Sequence, residues 1–202
     1  KPSMLAMVAR FCLPGYLGAL ENWMDIRHDW TQAEVYGLLT GPLAPLLDRA
    51  KTLHALYAAK DVQQCQLLSI KTGACPEDCG YCSQSAHFKT TVRPEALMEV
   101  ERVISSAQEA RANGASRFCM GAAWRQAPSD KRFEAVLDMI KGVAATGMEV
   151  CCTLGMATED QLRQMKEAGL TAYNHNLDTS REHYSKVIST RTYDDRLNTL
   201  SA

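Results

Sequence analysis

The strongest constraint in this sequence is a repeated punctuation. Ala-Asn-Gly114, Ala-Thr-Gly147 and Glu-Ala-Gly169 each close an amphipathic stretch and open an apolar one. A glycine just past a helix supplies the left-handed residue that caps the last carbonyls and turns the chain straight into the next element. Around these glycines "QLLSIKTG", "SRFCMGAAW", "MEVCCTLG" and "LTAYNHNLDT" read as strands. Between them "PEALMEVERVISSAQEARANG", "DKRFEAVLDMIKGVAATG" and "TEDQLRQMKEAG" read as helices. Short helix-to-strand joints of this kind build parallel sheets, so the fold class is α/β, either a doubly wound sheet or a (βα) TIM-type barrel.

Two helices are expected ahead of this series. Thr31 and Glu34 form a capping box before "VYGLL", and a second amphipathic run covers about Leu43 to Ala59. At the other end "RTYDDRLNTLSA" reads as the start of a further helix. Four strands in 202 residues fall short of a complete barrel, which takes about 250 residues. The expectation is therefore a TIM-type barrel truncated to about its first half, residues 30–202, behind a poorly ordered N-terminal extension, residues 1–29. The apolar opening "KPSMLAMVARFCLPGYLGALENW" has features of a signal or transit segment, but is read here as extra sequence ahead of Met24.

Charge narrows the function. The formal net charge is -1 and the cations are scattered, which argues against nucleic acid and against an anionic membrane surface as partners. No apolar run approaches the roughly 20 residues of a bilayer span. Eight cysteines spread over the chain do not form the dense framework of a small disulfide-stapled domain. A reducing compartment fits better, the cytoplasm, or the mitochondrion in a eukaryote.

Three of those cysteines, Cys75, Cys79 and Cys82, crowd into "ACPEDCGYC" just after the first expected strand. A structural zinc needs four ligands, usually two short-spaced pairs; His87 is near, but no second pair follows. A redox disulfide uses only two thiols. A [4Fe-4S] cluster held by three thiolates keeps one iron without a protein ligand, free to bind a small molecule. The loop falls on the C-terminal face, where barrel active sites are built.

The spacing C-x3-C-x2-C with Tyr81 before the last cysteine resembles the signature of radical S-adenosylmethionine (AdoMet) enzymes. The wider run "LLSIKTGACPEDCGYCSQSAHFKT", then "RFCMGAAW", "YNHNLDT" and "TRTYDDRL", resembles the biotin synthase family from about Trp30 to Ala202. The resemblance implies sulfur insertion into dethiobiotin through a 5′-deoxyadenosyl radical made from S-adenosyl-L-methionine at the [4Fe-4S] cluster. It also implies a [2Fe-2S] cluster as sulfur donor, an electron-donor protein such as flavodoxin or ferredoxin, and a homodimer for the full-length protein. Alternatives are a related radical enzyme with another substrate and an inactive metal-binding fragment.

The same resemblance assigns residues. Cys119 and Cys151, on neighbouring strands, match two ligands of the [2Fe-2S] cluster; its remaining ligands would lie beyond Ala202. Taken alone, a buried strand cysteine is more often a core residue. Cys152 should face the other way, and Cys12 and Cys65 match no ligand position. On the strand "TAYNHNLDT", Asn174, Asn176 and Asp178 alternate onto one face and Tyr173, His175 and Leu177 onto the other. A polar row on a buried strand wants a ligand. By resemblance Asp178 binds the AdoMet ribose, Asn176 lies between AdoMet and dethiobiotin, and Asn174 bonds the ureido ring. Arg196 matches an arginine near the AdoMet carboxylate; without the resemblance it reads as an exposed helix residue. By the same resemblance Tyr81, Gly121 and Ala122 are expected as further AdoMet contacts, with Gly121 to Trp124 as a strand-end turn; without it the segment reads as a plain tight turn.

Overall fold

The computed structural model describes residues 33, 37, 40–57 and 63–202. The capping pair Thr31 and Glu34, Cys12 and the extension 1–29 lie outside these residues. The chain divides into two compact units. One includes helix α1 (Leu43–Tyr57) and the segment Asp178–His183; the other comprises Gln63–Leu177 with Tyr184–Ala202. Of the expected second helix, residues 58 and 59 are outside the described range.

The larger unit runs β1 (Cys65–Lys71), α2 (Val100–Ala112), β2 (Arg117–Ala122), α3 (Lys131–Ala144), β3 (Glu149–Thr153), α4 (Glu159–Glu167) and β4 (Ala172–Tyr173). It closes with α5 (Tyr184–Val187) and α6 (Tyr193–Ser201). All strands are parallel and their order in the sheet is β1-β2-β3-β4, the order in sequence. The glycine punctuation is used as expected. Gly114, Gly147 and Gly169 have φ of 94°, 81° and 109°, and the amides of Ala115 and Leu170 donate back to Ala110 and Met165 across the helix ends.

Which of the two windings occurs is decided by the faces of the sheet. Ile70, Phe118, Met120, Val150 and Cys152 point to one side, where they form a single core with Val103 and Ala107 of α2, Val136, Met139 and Ile140 of α3, and Met165 of α4. Full burial of each larger apolar side chain contributes roughly 1.5–3 kcal/mol, so this interface is a large stabilising term. A doubly wound sheet would place helices on both faces. Here α2, α3 and α4 all cover the same face, the arrangement of a barrel wall.

Two elements differ from their sequence expectation. Helix α2 starts at Val100 rather than at Pro94, because the amides of Glu95 and Met98 are drawn to the carbonyls of Thr72 and Ile70 and run back along the end of β1. The strand expected over residues 170–179 is regular only at Ala172–Tyr173. The Asn174 amide still bonds to the Cys152 carbonyl at 2.8 Å, but among the described residues no strand pairs with β4 on its other edge.

Candidate metal and cofactor site

Parallel strands bring all their C-terminal ends to one rim, and the connections that leave that rim carry the polar chemistry. After β1, residues 72–99 contain no helix or strand. Gly73 and Ala74 turn this loop with φ of 68° and 50°; a non-glycine in the left-handed region is uncommon and costs energy that surrounding bonds must offset. They do so in number. Cys75 N–H donates to Gln84 O at 2.9 Å, Ala86 N–H returns to Cys75 O at 2.8 Å, and Gly73 N–H reaches the Gln84 side chain at 2.9 Å. The loop is thus closed at its neck around Cys75, Cys79 and Cys82.

The tip of the loop is fastened by the two acidic residues between its first two cysteines. Asp78 accepts from the amides of Ser189 and Thr190 at 2.9 and 3.2 Å, and from both hydroxyls. Its carboxyl is held well below the usual range, chiefly by the Ser189 hydroxyl bond. Glu77 is only 1% exposed, and its carboxylate faces Arg191 at 3.3 Å and Arg125 at 3.4 Å while accepting from Thr190. Arg191 in turn donates to the Cys79 sulfur at 3.4 Å. Cys79 is buried against Tyr184 and Ile188 with Cys82 beside it, and Gly80 N–H bonds Val187 O at 3.0 Å.

These residues suit an iron–sulfur cluster in type and number of donors: three thiols on one closed loop with a cation against one of the sulfurs. Among the described residues no three His, Cys, Asp or Glu side chains converge closely enough to hold a single metal ion. A cubane spreads its thiolates over separate irons and does not require them to converge on one ion. His87, the zinc alternative's fourth ligand, has its ring nitrogen 3.0 Å from the Pro76 carbonyl. Burial pushes the Cys75 thiol up, and the neighbouring Cys82 pushes the same way; a metal that binds the thiolate displaces that proton. Lys71 lies at the rim too, bonded to the Gly73 carbonyl and to Ala123 O at 3.0 Å, its pKa lowered by burial and partly restored by Cys75.

A second thiol group lies on the sheet face away from the helices. Cys119 and Cys151 are register partners on β2 and β3, and Asn174 donates to the Cys151 sulfur at 3.0 Å. Burial, then the bond to Cys119, pushes the Cys151 thiol up to about 12. Cys152 faces the helices and is fully buried, as its place one residue along the strand requires. At the opposite end of the same face Arg117 and Glu149 form a 2.6 Å ion pair joined by Gln63.

The remaining expected residues divide. Asn174 shares the face with Cys119 and Cys151, and Asn176 is exposed two residues on. Asp178 has φ of 69° and belongs to the smaller unit, so the row of three does not continue as one strand. His175 is buried, its ring nitrogens 3.3 and 3.4 Å from Arg196, in keeping with a packing role. Arg196 is not the exposed helix residue of the simple expectation: it is 7% exposed and also donates to the Tyr184 hydroxyl at 3.3 Å. Gly121 and Ala122 end strand β2, and the turn begins at Ala123 instead, where Gly155 approaches so closely that a Cβ would meet the Trp124 and Arg125 carbonyls at 2.5 Å. Tyr81 stands exposed beside Cys82.

Residues 69–202 match the Radical SAM superfamily, a span that includes the cysteine loop, the strand thiols and the Arg191 clamp. The chain belongs to the radical SAM superfamily. Membership implies a [4Fe-4S] cluster and S-adenosylmethionine, in accord with the three-thiol loop. Among curated relatives, the chain is 57% identical over 175 residues to the biotin synthase of Sorangium cellulosum and 56% identical over 179 residues to that of Myxococcus xanthus. These alignments cover 86% and 88% of the chain, but 50% and 52% of the relatives. The chain therefore spans about half the length of the curated relatives it matches. Among solved structures, methylornithine synthase has a TM-score of 0.68 at 16% identity, covering 87% of this chain and 52% of that one. The [FeFe]-hydrogenase maturase HydG from Carboxydothermus hydrogenoformans has a TM-score of 0.67 at 15% identity, covering 98% and 47%. At such identities the likeness concerns the fold, and it agrees with the one-sided helical wall.

Proposed function

We propose that this chain is the AdoMet-binding part of a biotin synthase, which inserts sulfur into dethiobiotin. The observation that carries the proposal is the pairing of two thiol groups: three cysteines closed into a loop at the rim, and Cys119 with Cys151 in register on the inner face. When bound, a [4Fe-4S] cluster supplies the electron for reductive cleavage of the AdoMet sulfonium, chemistry that no side chain of the chain provides.

The protein's own part is binding and orientation. Cys75, Cys79 and Cys82 hold the cluster and leave one iron to the substrate-like cofactor. Asp178 accepts from the ribose hydroxyls, and Asn176 lies between AdoMet and dethiobiotin. Tyr81, Gly121 and Ala122 complete the AdoMet side. Asn174 offers an amide, both donor and acceptor, to the ureido ring. Arg196 is assigned to the AdoMet carboxylate; its planar fork suits that task, and its bonds to Tyr184 and His175 would fix its orientation. Cys119 and Cys151 supply two thiolates to a [2Fe-2S] sulfur donor.

The further partners proposed are an electron-donor protein such as flavodoxin or ferredoxin and a second copy of the full-length protein. Cytoplasmic placement is proposed as well; no helix among the described residues is long and apolar enough to cross a membrane. The test is anaerobic reconstitution followed by reduction with AdoMet and dethiobiotin present. Formation of 5′-deoxyadenosine with iron and sulfide bound supports the proposal. Zinc without iron overturns it, and 5′-deoxyadenosine without biotin from the full-length protein overturns the assignment of substrate.

A further inference from the structure

The buried charge cluster behind the cysteine loop has no part in the ligand set, yet it touches one ligand. Arg191 is 7% exposed and places one guanidinium nitrogen 3.4 Å from the Cys79 sulfur, a second 3.3 Å from Glu77 Oε1, and its Nε 3.1 Å from the Tyr184 hydroxyl. Glu77 is more deeply buried still, and its Oε1 accepts no hydrogen bond although it faces two cations. An ion pair taken out of water costs desolvation that its own attraction barely recovers, so stability alone is a weak reason for it. Its other effect is electrostatic: at low dielectric a cation donating to a sulfur acts at short range, and hydrogen bonds and net charge are the levers that set cluster potentials.

We propose that Arg191 and Glu77 are a positioning pair for Cys79: Arg191 donates to the thiolate and stabilises the more negative, reduced cluster, while Glu77 orients Arg191 and moderates its charge. This rests on the proposed cluster at Cys75, Cys79 and Cys82. Arg125, 3.4 Å from the same carboxylate oxygen that Arg191 faces, and Thr190, which donates to the other oxygen, complete the support for Glu77, and Asp78, next in sequence, is occupied by Ser189 and Thr190.

The two residues carry opposite charges, so their neutral replacements have opposite expected effects. A structural role would damage both variants alike. The experiment is redox titration of the anaerobically reconstituted full chain, followed by electron paramagnetic resonance of the reduced cluster, with iron and sulfide content determined on each sample. Arg191→Gln should lower the potential, shifting the oxidised-to-reduced ratio at fixed potential about tenfold, or about 59 mV for one electron. Glu77→Gln should raise it, and Arg191→Lys should recover at least part of the loss. Potentials that stay put, or move in the same direction, in variants with full iron overturn the inference. Should one glutamine variant lose its cluster, the sign of the other's shift decides alone; should both lose it, Arg191→Met and Glu77→Met, which also remove the charges, provide the same comparison, and loss of the cluster from all four overturns the inference in favour of a purely structural role. If the unsubstituted chain takes up no cluster at all, it is the proposed function that fails.

Discussion

The two thiol groups are placed by different means. Cys119 and Cys151 stand on adjacent parallel strands, and the sheet ladder alone puts their side chains next to each other on one face. Cys75, Cys79 and Cys82 stand on irregular backbone that begins with two residues of positive φ, and their arrangement depends on bonds to residues 187–191, more than a hundred positions away. A ladder position comes with the fold, whereas a loop position must be fastened. The loop group should therefore be open to selective damage, while the strand group should fail only when the wall itself fails.

The largest effect should come from the wall. Phe118→Ala removes a fully buried ring between sheet and helices and should cost about 3–5 kcal/mol, read as a large fall in denaturant midpoint with both thiol groups lost together. If that variant kept its stability, the one-sided core would be the wrong account of what holds the strands. Next, Asp78→Ala should cost roughly 1–3 kcal/mol by removing the charged acceptor of the Ser189 and Thr190 donors. Cluster binding at the loop should drop sharply while Cys119 and Cys151 keep their labelling rates in thiol-trapping assays. Equal exposure of all five cysteines would erase the distinction.

Acid should tell the same story. A carboxyl whose folded pKa is depressed contributes stability that is present above its unfolded value and lost as pH falls through the folded one. For Asp78 the loss begins below about pH 4, the ordinary aspartate range. Asp78→Asn should flatten that part of the pH–stability curve; an unchanged acid limb would mean that the clamp is not formed in solution. A smaller effect is expected at Gly169, where φ is 109° and an added Cβ would meet Ala144 at 2.8 Å. Gly169→Ala should cost about 1 kcal/mol or somewhat more, lowering the melting temperature without selectivity between the thiol groups. Smallest of all, Glu149→Gln at the half-exposed Arg117 pair should move the melt by less than Gly169→Ala does, since ion pairs open to water contribute little.

What was legible in the sequence follows the same division. Gly114, Gly147 and Gly169 announced the helix-to-strand joints, and period-two alternation placed Cys151 and Cys152 on opposite faces, because both signals are local. The clamp was not legible: "CPEDC" and "STRT" each look like ordinary polar loop, and only the fold brings Glu77 and Asp78 to Thr190 and Arg191. The same holds for Arg196, whose helix pattern suggested exposure but whose burial depends on Tyr184 and His175. The strand over 170–179 was overextended because alternation predicts which way side chains point, not whether a neighbour is present to pair with. The barrel winding expected from the sequence is the one that occurs, although what decides it, the face that the helices cover, is a tertiary property.

The central claim is that three loop thiolates hold a cluster with one iron left to AdoMet. Its most direct test is electron–nuclear double resonance on the reduced, reconstituted protein with AdoMet labelled at its amino nitrogen and carboxylate oxygen. Hyperfine coupling to both labelled atoms is the predicted result. A [4Fe-4S] signal that shows no such coupling, and is unchanged by adding AdoMet, would contradict the account.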